Sequence, residues 1–210
     1  MSHDFGVASP SCGALFDWQR HEPRRIEASP VLAPWLGRTA HLGITWTAGD
    51  GNIMKIARIV SGGQTGADRA ALDWAIEHEV PHGGWCPAGR RAEDGTIPAR
   101  YQLEELPEGG GYRRRTKANV RHSDATLIVS IEPLLTGGSK ETLMFAQRLA
   151  KPWLHLHPGM DWRAALRDWL SATAIHTLNV AGPRGSREPE VAAFTRTVLD
   201  ELQRLLGSSS

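Results

Sequence analysis

From residue 56 onward the apolar positions follow two alternating rhythms. Short, nearly continuous apolar runs predict strands at 56–61, near 83–86, and at 125–131, 153–157 and 177–181. Between them, apolar residues at helical spacing predict helices at 67–79, near 114–122, and at 140–150, 162–172 and 190–206; Ala71, Ala75 and Ile76 mark the apolar stripe of the first. Three of the strand segments, ARIV, ATLIVSI and TLNVA, lack the polar alternation of a half-exposed strand, so both faces should be covered. Strands of this kind alternating with helices predict an α/β fold of Rossmann-like, doubly wound type, with a mostly parallel sheet and helices on both faces.

Outside that stretch the rhythm fails. Residues 1–53 mix Pro, Gly, Ser, Arg and Trp without a sustained period and are expected to be an irregular N-terminal extension; 54–206 form the ligand-binding domain and 207–210 a flexible tail. MKIARIV at 54–60 looks like a start residue running into a buried strand. Met54 is therefore expected to be the native start, the alternative being an arm that docks Trp35 and Trp46 on the domain; N-terminal sequencing separates the two. The segment 87–111, rich in Gly, Pro and charge, is long for a loop within a domain, and such loops are usually functional or mobile.

Composition narrows the function. Within 210 residues, 24 Lys and Arg nearly balance 23 Asp and Glu, so no overall field points to nucleic acid or an acidic membrane surface. No apolar run reaches the roughly 20 residues of a membrane span, and Cys12 and Cys86 lack metal-finger spacing, so a reducing cytoplasm is expected. The expected partner is a small phosphorylated ligand; self-association into a homo-oligomer stays open.

Glycine turns carry the candidate chemistry. In open α/β sheets ligands sit beyond the carboxyl ends of the strands, and three turns follow strands here. The first is Ser61, Gly62, Gly63, Gln64, Thr65 and Gly66, where bare backbone, a helix start and two hydroxyl donors suggest a phosphate-sized cradle. It lacks the Lys-Ser or Lys-Thr of a P-loop. The second is Thr136, Gly137, Gly138 and Ser139; the third holds Gly182, Pro183, Arg184, Gly185, Ser186 and Arg187, whose guanidinium groups suit bidentate phosphate contact.

Other residues are more ambiguous. Asp68 is either a carboxylate favoured at a helix start or an acceptor for a hydroxyl, ribose or metal-bound water. Thr116 and Asn119, three apart, share a helix face near Arg113 and Lys117. Cys86 is either a small packing residue or a thiol drawn toward thiolate by Arg90; His155 and His157 share a strand face as either polar strand-end positions or two metal ligands lacking a third. No nucleophile has a base at diagnostic spacing, which favours binding over turnover.

Four ordered blocks, IVSGGQTGADR at 59–69, CPAGRRAEDGTIP at 86–98, RTKANV at 115–120 with SDATLI at 123–128, and LNVAGPR at 178–184, resemble the family named putative molybdenum carrier. It is related to molybdenum cofactor carriers within the SLOG superfamily of Rossmann-like proteins, which includes the LOG enzymes. The resemblance implies a carrier or sensor for molybdenum cofactor (molybdopterin) or a nucleotide. It also strengthens placement of the three turns, Thr116 and Asn119 at the ligand edge. The backbone N–H groups of the turns are expected to bind the ligand, with Arg184 and Arg115 neutralising phosphate. The alternative is a nucleotide-cleaving enzyme of LOG phosphoribohydrolase type. That activity goes with a Pro-Gly-Gly-x-Gly-Thr motif and a following acid, whereas LTGGSKETLM at 135–144 lacks the proline, the later glycine and the acid, leaving Glu141 as a displaced substitute.

Overall fold

The computed structural model describes residues 56–207; the expected extension and its Trp35 and Trp46, Cys12, and the last three residues of the tail lie outside the described residues. In chain order the elements are β1 (Arg58–Val60), α1 (Ala67–Glu77), β2 (His82–Gly83), β3 (Trp85–Cys86), a 3-10 turn (Ala88–Arg90), β4 (Arg91–Ala92), β5 (Gly95–Thr96), β6 (Glu104–Glu105), α2 (Tyr112–Arg121), β7 (Ala125–Val129), α3 (Gly137–Arg148), β8 (Trp153–Leu156), α4 (Trp162–Ala172), β9 (Thr177–Ala181) and α5 (Val191–Gly207).

Five strands form one parallel sheet in the order β2-β1-β9-β7-β8. The chain winds outward from β1 to β2, outward in the other direction from β7 to β8, and returns last to the centre as β9. Consequently β1, β9 and β7 lie side by side, and the turns after all three leave the sheet at one edge. The apolar runs do what their lack of alternation requires: β7 is buried at every position, and Ile59, Leu127, Val129, Leu178 and Val180 share a core with Ala71, Trp74, Leu166, Val198 and Leu199 from the covering helices. From α1 this core takes Ala71, Trp74 and Ala75, while Ile76 is exposed.

The strand expected at 83–86 is two strands. Gly84 has φ +129°, a value L side chains rarely adopt, and its α-carbon lies so close to the Ser61 carbonyl that a Cβ would fall 2.1 Å from the oxygen. The chain bends there: β2 pairs with β1, while β3 leaves the main sheet and pairs with β6.

Nor is 87–111 a featureless loop. The Arg90 guanidinium donates to the carbonyls of Ile97, Pro98, Tyr101 and Leu103 at 3.0–3.1 Å, gathering the segment around one cation. A second small core of Cys86, Ile97, Tyr101 and Leu103 then packs on Leu72 of α1. Burying these residues offsets the entropy of ordering a polar segment.

Candidate functional site

At the carboxyl edge of the sheet the turns surround an open cleft of about 530 Å³. Its walls come from the second turn and the start of α3, from the third turn at 181–188, and from Tyr112, Arg115 and Thr116 of α2; the first turn and the helix it opens contribute Gln64 and Asp68. The three turns named from sequence therefore meet, but unequally.

In the first turn, the groups expected to cradle phosphate are engaged within the protein. The Ser61 hydroxyl donates to the Val180 carbonyl at 2.7 Å. The Thr65 hydroxyl donates to Glu93 and accepts from the Gly185 N–H at 3.2 Å. Gly66, at φ +81°, packs on the third turn, where a Cβ would fall 2.4 Å from the Pro183 carbonyl oxygen, and that oxygen accepts the Ala67 N–H that opens α1. Gly63 has φ +75° and looks away from the cleft, toward Leu103 and Ile97. Gly62 lies beneath the Arg115 guanidinium, so closely that a Cβ would overlap it. In the cradle expected at 61–66 both hydroxyls and the bare faces of the glycines thus meet protein atoms, which makes this turn a packing joint.

The hairpin of β4 and β5 braces this joint. Asp94 pairs with Arg69, which also donates to the Gly63 carbonyl at 3.2 Å, and Glu93 takes the Ser186 N–H and hydroxyl as well as Thr65. These hydrogen bonds, that from the Ser186 hydroxyl foremost, hold the Glu93 carboxyl below its ordinary range.

The second turn is different. Gly137, Gly138 and Ser139, expected to precede a helix, form the first turn of α3. Thr136 stands at the N-cap without a side-chain cap bond, and no acidic residue occupies that first turn. Nothing lies within 4 Å of where a Cβ would stand on Gly137 or Gly138. The first N–H groups of a helix lack intrahelical partners and carry the positive end of its dipole, so this start can receive an anion. Ser139 is buried and lines the cleft beside it.

Across the cleft, the third turn supplies cations. Arg184 lies over the Tyr112 ring at 4.9 Å and 4.0 Å from Glu93, and Arg187 lines the same wall. Gly182 is wedged between the Val129 carbonyl and Ala67, so it serves packing. Pro183 lines the cleft while its carbonyl serves α1.

Asp68 and Arg115 meet at the base of the cleft, 2.7 Å apart and both largely buried. Burial pushes the Asp68 carboxyl up, against the opposing pull of Arg115. Arg115 therefore holds a carboxylate and does not project freely toward a phosphate. Thr116 lines the cleft, its hydroxyl bonded to the Tyr112 carbonyl. Asn119 serves the fold: its amide accepts from the Trp85 N–H at 2.7 Å and donates to the Trp85 carbonyl at 3.2 Å, fixing β3 to α2.

The remaining candidates stand apart from the cleft lining. Cys86 is fully buried and burial pushes its thiol up, so packing prevails over the pull of Arg90, whose guanidinium is committed to four carbonyls. His155 is 2.6 Å from the Ser130 hydroxyl, and burial holds its imidazole below the usual range. Among the described residues, no group of three or more His, Cys, Asp or Glu could hold a metal ion, and no helix is long and apolar enough to cross a membrane.

Tyr112, Glu132 and Glu188 line the cleft without having stood out in the sequence. Glu188 accepts the Ile131 N–H at 2.5 Å, tying the third turn to the segment after β7. No local motif marks these residues, since each reaches the cleft by the crossing of distant segments.

Known proteins agree with this architecture. The family described as circularly permutated YpsA SLOG matches residues 59–203. A crystal structure of a "Putative molybdenum carrier protein" from Syntrophus aciditrophicus SB is 46% identical, with a TM-score of 0.66, over 70% of this chain and 94% of that one. No curated protein matches the chain. The family match spans β1 to α5, the same segments that build the sheet and all three turns, and on it the protein belongs to the circularly permutated YpsA SLOG family.

Proposed function

We propose that the protein is a carrier or sensor that holds a phosphate-bearing ligand, the molybdenum cofactor or a nucleotide, in the cleft between α3 and the third turn. The observation that carries this is the bare start of α3 opening onto a cleft that also holds Arg184 and Arg187. A dianionic phosphate gains there from backbone N–H groups, the helix dipole and charge-assisted hydrogen bonds. The description of the 46%-identical neighbour, a "Putative molybdenum carrier protein", supports a molybdenum-related ligand, of which the cofactor is the phosphate-bearing candidate.

The residues suit the phosphate and organic part of that cofactor: a cleft of about 530 Å³ offers room, and Arg184, Arg187 and the start of α3 line it. Arg184, Arg187 and the start of α3 would hold the phosphate; bound there, the cofactor would bring its molybdenum chemistry as cargo.

Native mass spectrometry of the protein as purified tests this, followed by incubation with a panel of nucleoside monophosphates. The expected result is a retained phosphorylated pterin or nucleotide and no free base. Sustained base release, abolished by Glu141→Gln, would replace the carrier with a nucleotide-cleaving enzyme, because Glu141 lines the same cleft.

A further inference from the structure

Gln64 is 3% exposed and lines the cleft. Its amide is held one way round: Nε2 lies 2.9 Å from the Arg91 carbonyl oxygen, which can only accept, so the nitrogen must face it and Oε1 must point elsewhere. That Oε1 is buried without a hydrogen-bond partner. In the same cleft Arg115 gives Nη1 to Asp68, while its buried Nε–H also has no partner. An unmet acceptor and an unmet donor each cost free energy, and buried polar groups normally find a partner, which a water or a ligand group can supply here. Beneath the cleft, a recess of about 10 Å³ shares Asp68, Arg115, Thr116 and Thr142 with it, room for one water or one hydroxyl.

Resting on the anion site proposed above, we infer that Gln64 and Arg115 form a second subsite that reads a group able both to donate and to accept, a hydroxyl or a lactam edge. The cleft thereby selects an organic phosphate over a free oxyanion. A methyl phosphate or molybdate dianion brings acceptors alone; it satisfies Arg115 Nε and sets a further acceptor against Gln64 Oε1. A sugar hydroxyl or a lactam of a purine or pterin carries both the donor that Gln64 Oε1 lacks and the acceptor that Arg115 Nε lacks. Sites that hydrogen-bond a ligand's O–H or N–H discriminate strongly against analogues lacking it, because the partner is then left buried and unmet.

Calorimetric titration with molybdate, methyl phosphate, ribose 5-phosphate and guanosine monophosphate tests the inference. The wild-type protein should bind one or both of the last two at least about tenfold more tightly than the first two, on the scale of one charge-assisted hydrogen bond. Preference for ribose 5-phosphate identifies the hydroxyl; a gain confined to guanosine monophosphate identifies the lactam. Gln64→Met should collapse the ratio toward one while leaving methyl phosphate within about twofold. Equal binding of all four probes by the wild type, or a ratio unchanged in Gln64→Met, overturns this subsite and leaves the anion site standing. If no probe binds, both fail. Should Gln64→Met not fold, the wild-type ratio decides alone.

Discussion

The turn after β1 and the turn after β7 flank the same central strand, yet one is closed on the protein and the other open. In the first, Ser61 and Thr65 spend their hydroxyls on Val180 and Glu93, Gly66 is pressed against Pro183, and Gly62 carries the Arg115 guanidinium. In the second, Gly137 and Gly138 face open space at an uncapped helix start. Glycine thus serves two ends: in the first turn it lets segments touch, and in the second it leaves backbone N–H groups accessible. Only the second use predicts a ligand directly.

The largest effect should come from filling the closed joint. Gly66→Val places a β-branched side chain at positive φ and drives it into the Pro183 carbonyl and the Gly185 nitrogen, both backbone. Strain and overpacking together should cost about 3–5 kcal/mol, lowering Tm by roughly 10 °C or more in a thermal melt. A melt within about 2 °C of wild type would show the joint to be loose.

Aspartate placed in either turn sharpens the contrast. Gly63→Asp directs a carboxylate at Leu103 and Ile97 and should lower Tm by about 5–10 °C. Gly138→Asp stands in open space in the first turn of α3, so stability should hold within about 0.5 kcal/mol. Inorganic phosphate binding should nonetheless fall about tenfold, because the added charge repels the anion from the helix start. Unchanged phosphate affinity in folded Gly138→Asp would move the anion elsewhere.

The smallest effect is one of pH. Glu93 is held below its ordinary range by Ser186 and Thr65, so the native state binds fewer protons there than the unfolded chain. Its contribution should be present above the ordinary glutamate range, near 4.5, and lost as pH falls through the depressed value. At neutral pH Glu93→Gln should melt about 1–3 °C below wild type, the scale of an exposed polar contact, and the gap should close in acid. A gap independent of pH would show that packing, and not the carboxylate charge, holds the two turns together.

By itself the sequence determined the sheet and its covering helices, because burial on both faces leaves a continuous apolar run that no other element needs; β1, β7 and β9 were legible for that reason. It also placed glycine turns after those strands, since a strand-to-helix turn has a local signature. The break at Gly84, the ordering of 87–111 by Arg90, and the order β2-β1-β9-β7-β8 were not legible, because each depends on partners far away in the chain. The same is true of the site. Ser61, Thr65 and Asn119 look like ligand donors as text, and only tertiary contacts with Val180, Glu93 and Trp85 show their hydrogen bonds spent. A hydroxyl or amide has the same capacity in every turn; whether it is left for a ligand is decided by which distant group arrives to use it.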